Sequence, residues 1–297
     1  MFMMLSSFGI TDMPLLTVIC TVLGGLYLSI CALLFFLQRR IIFEPHFQPE
    51  NPIPDDLAIA YETKRLKTGS FKTTEIVTWW FPCEQSDGKT VYFLHGNGGY
   101  EDCNFETLKL LNRLGFNVFM LNYRGYGAST KVFPNEMRVY EDAAVGYQYL
   151  LEQKQVSPEN LLIYGHSMGG AIAVELATRY DCAGLFLEST FASMNEMSVT
   201  KAYMQIFPTN WILTQRFDSR SKLPLLKIPI FLCHGTIDET VPSFMSERLM
   251  AIANEPKRLE MIEGAGHHDL IYVGENTVKT GIQWLSKQLQ WQINVAG

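Results

Sequence analysis

Gly165-His166-Ser167-Met168-Gly169 places a serine between two glycines, directly after the apolar run 161–164 and directly before a helical pattern. A serine hydroxyl attacks a carbonyl only when a base removes its proton. The G-x-S-x-G spacing at a strand-to-helix turn is the nucleophile elbow, where small neighbours allow a turn tight enough to expose the serine. Ser167 then stands at a helix N-terminus, whose dipole favours developing negative charge. In such sites the partners follow in the order serine, acid, histidine. This sequence keeps that order. The segment IFLCHGTIDETVP puts Asp238 after an apolar strand pattern, and MIEGAGHHDL puts two histidines after another. His267 follows Gly266, where a glycine turn can aim an imidazole, so it is the expected base. His268 is read as a neighbour in the site or a solvated residue. Asp238 is the expected acid that fixes the imidazole tautomer, with Glu239 and Glu188 as alternatives.

Acyl transfer also needs donors for the oxyanion. The segment VYFLHGNGGYED is a strand pattern ending in a glycine-rich turn, which lets backbone N–H groups approach a substrate oxygen. The N–H groups of Asn97 and Met168 are the expected pair. Gly96, Gly98, His166 and Phe191 are expected to border the substrate. Arg124, in NYRGYGAS, is expected to tie loops near the site. Five of the six histidines (95, 166, 234, 267 and 268) fall at predicted strand ends. None has the short fixed spacing of metal ligands on a helix, so no metal ion and no cofactor is expected.

Positioning these groups takes a framework of alternating elements. Strand patterns occur near 59–66, 74–81, 90–94, 117–121, 161–164, 184–188, 229–233 and 258–262. Helical patterns occur near 102–114, 136–154, 168–180, 242–254 and 275–290. This alternation predicts an α/β fold, with a mostly parallel central sheet and helices on both faces. The segment FASMNEMSVTKAYMQIFPTNWILTQRF breaks it. The stretch 191–223 is too long for an ordinary connection and reads as a small cap inserted over one face.

Before residue 57 the chain changes character. From Pro14 to Leu37, 24 residues pass without Asp, Glu, Lys, Arg or His. A helix of that length can cross a hydrocarbon core of about 30 Å. A cleaved signal peptide needs upstream positive charge, a shorter apolar core and a small-residue cleavage site, and these are missing. The organisation predicted is a short segment 1–13, a transmembrane anchor 14–38, a Pro-rich linker 39–56 and a catalytic domain 57–297. Arg39 and Arg40 follow the anchor, so the positive-inside tendency puts the domain in the cytoplasm. Net charge is −6 without a basic stripe, and no nucleic acid is expected as a partner. The scattered cysteines, without a C-x-x-C pair, read as reduced thiols.

The stretches LHGNGG, NVFMLNYRGYG, IYGHSMGG, LESTFASM, IPIFLCHGTIDETVP and GAGHHD, in this order, make the chain resemble the α/β-hydrolase superfamily. More narrowly it is similar to membrane-anchored members of the serine-aminopeptidase-like branch. The resemblance implies an α/β-hydrolase fold and carboxylic ester or acyl-thioester hydrolysis through an acyl-enzyme. A serine peptidase, or a non-catalytic scaffold that kept the fold, is the alternative. The expected substrate is a small molecule, a lipid-like molecule or an acylated protein, with the bilayer as partner of the anchor. Members of the family often carry aspartate where this chain has Asn122, a departure expected to loosen a loop contact.

Overall fold

Strands rich in β-branched and aromatic residues, buried on both faces, need helices on both sides. The computed structural model describes residues 14–45, 53, 57, 59–69, 73–98 and 102–293. Its elements in chain order are α1 (Leu15–Ile42), β1 (Glu62–Thr68), β2 (Thr74–Phe81), β3 (Thr90–Leu94), α2 (Asp102–Arg113), β4 (Asn117–Leu121) and α3 (Glu136–Glu152). Then follow β5 (Leu161–His166), α4 (Met168–Arg179), β6 (Gly184–Glu188), α5 (Met194–Val199), α6 (Thr209–Ile212) and α7 (Ser219–Lys222). The last are β7 (Ile230–Gly235), α8 (Phe244–Ile252), β8 (Lys257–Ile262) and α9 (Leu270–Gln288). The eight strands form one sheet in the order β1-β2-β4-β3-β5-β6-β7-β8. β1 and β2 run antiparallel to their neighbours, and all pairings from β4 to β8 are parallel.

Alternation along each strand divides the core in two. Ile163, Leu185 and Leu232 face α3, α4 and α8. Tyr164, Phe186 and Phe231 face α2 and α9. On that second face four rings share one register. Phe93 pairs with Tyr164, Tyr164 with Phe186 and Phe186 with Phe231 across adjacent strands. Their centroids are 5.1, 4.3 and 4.9 Å apart. Such aromatic pairs contribute about 0.5–1.5 kcal/mol each beyond burial.

Two boundaries differ most from the sequence pattern. α9 starts at Leu270, five residues before the predicted 275, and carries a break in helical geometry at Gly274. α1 runs to Ile42, past the predicted end at 38. Its last turn is held by the domain: Arg39 donates to the carbonyls of Phe133 (2.6 Å) and Pro134 (2.9 Å). Phe43, placed in the predicted linker, is buried against the ring of Phe217 at 5.8 Å. The rest of the predicted linker, 46–52 and 54–56, lies outside the described residues, as does segment 1–13.

The stretch after β6 holds short helices rather than strands. Ser193 caps α5 by accepting the Glu196 N–H at 3.1 Å, and Asp218 caps α7 by accepting the Ser221 N–H at 3.1 Å. Between them α6 carries Ile212 inward. This cap lies over the carboxyl ends of the parallel strands, beside the last turns of α1.

Candidate active site

β5 ends at His166, and α4 begins at Met168 with no residue between except Ser167. Ser167 sits at φ 54° and ψ −119°, a strained conformation for a side chain with a Cβ. The surroundings hold it there. Its N–H donates to the Glu188 carbonyl at 2.8 Å, and its carbonyl accepts from the Thr190 hydroxyl at 2.8 Å. Crossing this close requires glycines. A Cβ at Gly169 would meet the Leu94 carbonyl oxygen, and one at Gly165 would meet the backbone of Gly169 and Gly170.

Three strand ends converge on this point. The His267 Nε2 lies 3.0 Å from the Ser167 Oγ, and its Nδ1 lies 2.6 Å from the Asp238 Oδ2. The carboxylate requires a proton on Nδ1, which leaves the Nε2 lone pair facing the hydroxyl. Ser167, His267 and Asp238 are 8, 7 and 9% exposed, so the relay is largely shielded from water. The other Asp238 oxygen accepts the N–H groups of Thr240 and Val241, both at 2.8 Å. Burial alone pushes the Asp238 carboxyl up. Hydrogen bonds from His234 and His267, the charge of His267 and the Val241 N–H outweigh it and hold the group well below the usual carboxylate range.

His234 is the member that the sequence pattern did not single out. It is fully buried at the end of β7. Its Nε2 lies 2.8 Å from the Val241 carbonyl and 3.1 Å from the Asp238 Oδ2, and its Nδ1 lies 2.7 Å from the Ser246 Oγ. Two acceptors at Nε2 assign the proton there, so Nδ1 accepts from the serine. Asp238 is thus gripped by two imidazoles and two backbone N–H groups. The alternatives for the acid point elsewhere. Glu239 is exposed, and the Glu188 carboxylate accepts from the Tyr164 hydroxyl. His268 is exposed and sets its ring edge against His267 at 4.9 Å.

Asn97 and Met168 line the same cavity as Ser167, and among the described residues no backbone carbonyl takes up the N–H of either. The Asn97 side chain is engaged through both its amide nitrogen and its oxygen. Its Nδ2 donates to the Ile42 carbonyl (2.9 Å), and its Oδ1 accepts the Glu44 N–H (3.1 Å) and the Tyr126 hydroxyl (2.7 Å). The donor loop is therefore bonded to the end of α1.

A cavity of about 330 Å³ opens from Ser167 beneath the cap. Phe191 lines it as expected, together with Met194, Met197 and Ile212. The other residues expected at the substrate do not line it. Gly96 packs behind the serine, where a Cβ would come within 3.1 Å of the Ser167 Cβ. Gly98 lies one residue beyond the lining in the same turn. The His166 ring is buried 5.3 Å from His267, with Nε2 3.4 Å from the His267 carbonyl. Arg124 does not line the cavity. It donates to Asp142 and Glu141 on α3 and to the Thr68 hydroxyl on β1. The side chain of Asn122 is buried without a hydrogen-bond partner among the described residues. Among those residues no group of three or more His, Cys, Asp or Glu is placed to hold a metal ion.

Comparison with known proteins places this geometry in context. The family model described as serine aminopeptidase, S33, matches residues 85–220. An uncharacterised protein of Mycobacterium tuberculosis is 29% identical over 258 residues, covering 86% of this chain and 88% of that protein. Alpha/beta hydrolase domain-containing protein 17C of Mus musculus is 33% identical over 192 residues, covering 63% of this chain and 57% of its own length. Among solved structures, an esterase of Pyrococcus furiosus superposes with a TM-score of 0.67 at 18% identity, covering 84% of this chain and 98% of the esterase.

Proposed function

The chain belongs to the α/β-hydrolase superfamily, and on that premise we propose that it is a membrane-anchored serine hydrolase of carboxylic esters or acyl thioesters. The observation that carries the reading is the 3.0 Å approach of the His267 Nε2 to the Ser167 Oγ, with Asp238 behind the ring. His267 takes the hydroxyl proton as Ser167 attacks the acyl carbonyl. The tetrahedral oxyanion lies between the N–H groups of Asn97 and Met168. His267 then gives its proton to the departing oxygen or sulfur, and the acyl group stays on Ser167. Water, deprotonated by the same imidazole, attacks the acyl-enzyme. The second tetrahedral intermediate collapses to free acid, and the proton returns to Ser167.

Peptide cleavage is the second reading, favoured by the description of the matching family model. A free-amine substrate needs a carboxylate to receive it. No aspartate or glutamate lines the cavity among the described residues, and Lys201 does. That lining supports esters and thioesters over aminopeptide substrates. α1 is apolar and long enough to cross a membrane. The arginines at its C-terminal end support a cytoplasmic catalytic domain.

A fluorophosphonate probe tests the nucleophile. The native chain should be labelled and Ser167→Ala should not. Labelling that persists in the variant removes Ser167 from the mechanism, and a native chain that stays unlabelled favours a scaffold. Turnover of acyl esters, acyl thioesters and aminoacyl amides at equal chain length separates the two enzymatic readings. Protease added to sealed vesicles of known sidedness tests the orientation.

A further inference from the structure

The cavity at Ser167 has a wall that a tether would not supply. Leu34, Gln38, Ile41 and Ile42 of α1 line it, spaced so that they form one stripe of the helix. From Leu34 to Ile42 the stripe covers about 12 Å at 1.5 Å per residue. Its one polar member is saturated. Gln38 donates to the carbonyls of Phe35 and Ile212, and its Oε1 accepts the N–H groups of Thr214 and Gln215. The amide thus clips helix to cap and leaves an apolar wall. Across the cavity stand Met194, Met197 and Met204 of the cap.

The cap reaches further up the helix. The Tyr27 hydroxyl donates to the Ile206 carbonyl at 2.8 Å, and its ring stacks on Phe207 at 5.7 Å. From Leu15 to Tyr27 the helix rises only about 18 Å. A hydrocarbon core is about 30 Å thick. If the apolar stretch of α1 is to occupy that core, the cap around Ile206 must enter the membrane with it. The cap surface suits that position: Tyr203, Ile206 and Trp211 are 69, 67 and 88% exposed, a cluster of large apolar side chains beside the helix.

We propose that α1 is one wall of an acyl-chain site, and that the substrate is a long-chain acyl ester or thioester drawn sideways from the bilayer between α1 and the cap. This rests on the serine-hydrolase reading above. The acyl tail runs along the α1 stripe toward the membrane, and the carbonyl lies at Ser167. The tail moves from one apolar medium to another and crosses no water.

The test uses the full chain in lipid nanodiscs. A methylene delivered from water and buried would contribute about fourfold to kcat/KM, whereas one delivered from the bilayer gains only its contacts with the wall. Native chain and variants are therefore compared in the same discs. Leu34→Trp fills the wall and should lower the dodecanoyl-to-acetyl ratio of kcat/KM at least tenfold. Leu34→Ala enlarges the wall and should move the optimum to longer chains. Leu23→Trp, on the part of α1 beyond the cap, should keep the native ratio. A native ratio in both Leu34 variants overturns the proposal. Loss of fluorophosphonate labelling in the native chain would instead remove the hydrolase reading itself. Two donors embedded in the disc identify the source of the tail. Cleavage of a phospholipid or acylglycerol supports a lipid, and cleavage of an S-acylated cysteine peptide supports an acylated protein. If neither is cleaved while a soluble acetyl ester is, the route from the bilayer is refuted.

Discussion

Asp238→Asn replaces one carboxylate oxygen by an NH₂ group and tests the relay at its base. In the native site one carboxylate oxygen accepts two backbone N–H groups at 2.8 Å, and the other faces the His267 Nδ1 at 2.6 Å and the His234 Nε2 at 3.1 Å. An amide cannot satisfy both sides. With its carbonyl on the backbone pair, its NH₂ faces two imidazole nitrogens. His267 must then present a bare Nδ1 and carry its proton on Nε2, against the serine that it should deprotonate. With the amide turned over, its NH₂ opposes the Thr240 and Val241 N–H groups. At about 1–3 kcal/mol for each unsatisfied buried donor, that orientation is the costlier one. The wrong tautomer should therefore dominate and lower kcat about 10⁴-fold, or about 5.4 kcal/mol of transition-state stabilisation. The assay is kcat and KM for a short activated ester, with thermal unfolding followed in parallel. KM should change little. A folded Asp238→Asn protein with kcat within tenfold of native, while Ser167→Ala is inactive, would refute the tautomer argument.

Asn97→Ala keeps the backbone donor but cuts the ties to Ile42, Glu44 and Tyr126, so kcat should fall about 10²-fold through misplacement of the oxyanion loop, read by single-turnover acylation. Gly169→Ala drives a methyl into the Leu94 carbonyl; it should destabilise the fold by about 3 kcal/mol or more, seen as a lower thermal midpoint or as insoluble protein. Arg124→Ala strands the fully buried Asp142 carboxylate and should cost about 3–5 kcal/mol in urea unfolding, with kcat at saturating substrate close to native in the folded fraction. The Asp238 carboxyl is held below its ordinary value of 3.8. Its pairing therefore stabilises the fold above about that pH and is lost as pH falls below it. Acid titration of unfolding free energy should show a steeper decline below pH 4 in the native chain than in Asp238→Asn.

The sheet was legible in the sequence where strands are buried on both faces. TVYFL, NVFML and GLFLE each hold an unbroken apolar run of at least three residues, and β3, β4 and β6 match them. Edge strand β1, ETKRLKT, has mostly exposed side chains and no such signal, and its bounds moved by up to three residues. The three convergent segments were legible because each chemical group follows a strand within five residues. Asp238 and Glu239 are neighbours in sequence, and only the turn after β7 decides that the first points in and the second out. His234 was beyond reach, and His166 was expected at the substrate but does not line the cavity, since five histidines at strand ends look alike until side-chain direction is known. The end of α1 was hidden for another reason. Gln38 reads as the first polar residue after a membrane stretch, while its partners at Thr214 and Gln215 lie more than 170 positions away.

The ring ladder through Phe93, Tyr164, Phe186 and Phe231 works as a ruler. Ser167 and Asp238 follow the ends of two of the strands it joins, so their separation depends on how those strands align lengthwise. A slip of one residue would turn each ring to the opposite face, where aliphatic side chains already fill the space. Alignment of the sheet is thereby either whole or lost, and the separation of Ser167 from Asp238 inherits that all-or-none character from the rings beneath them.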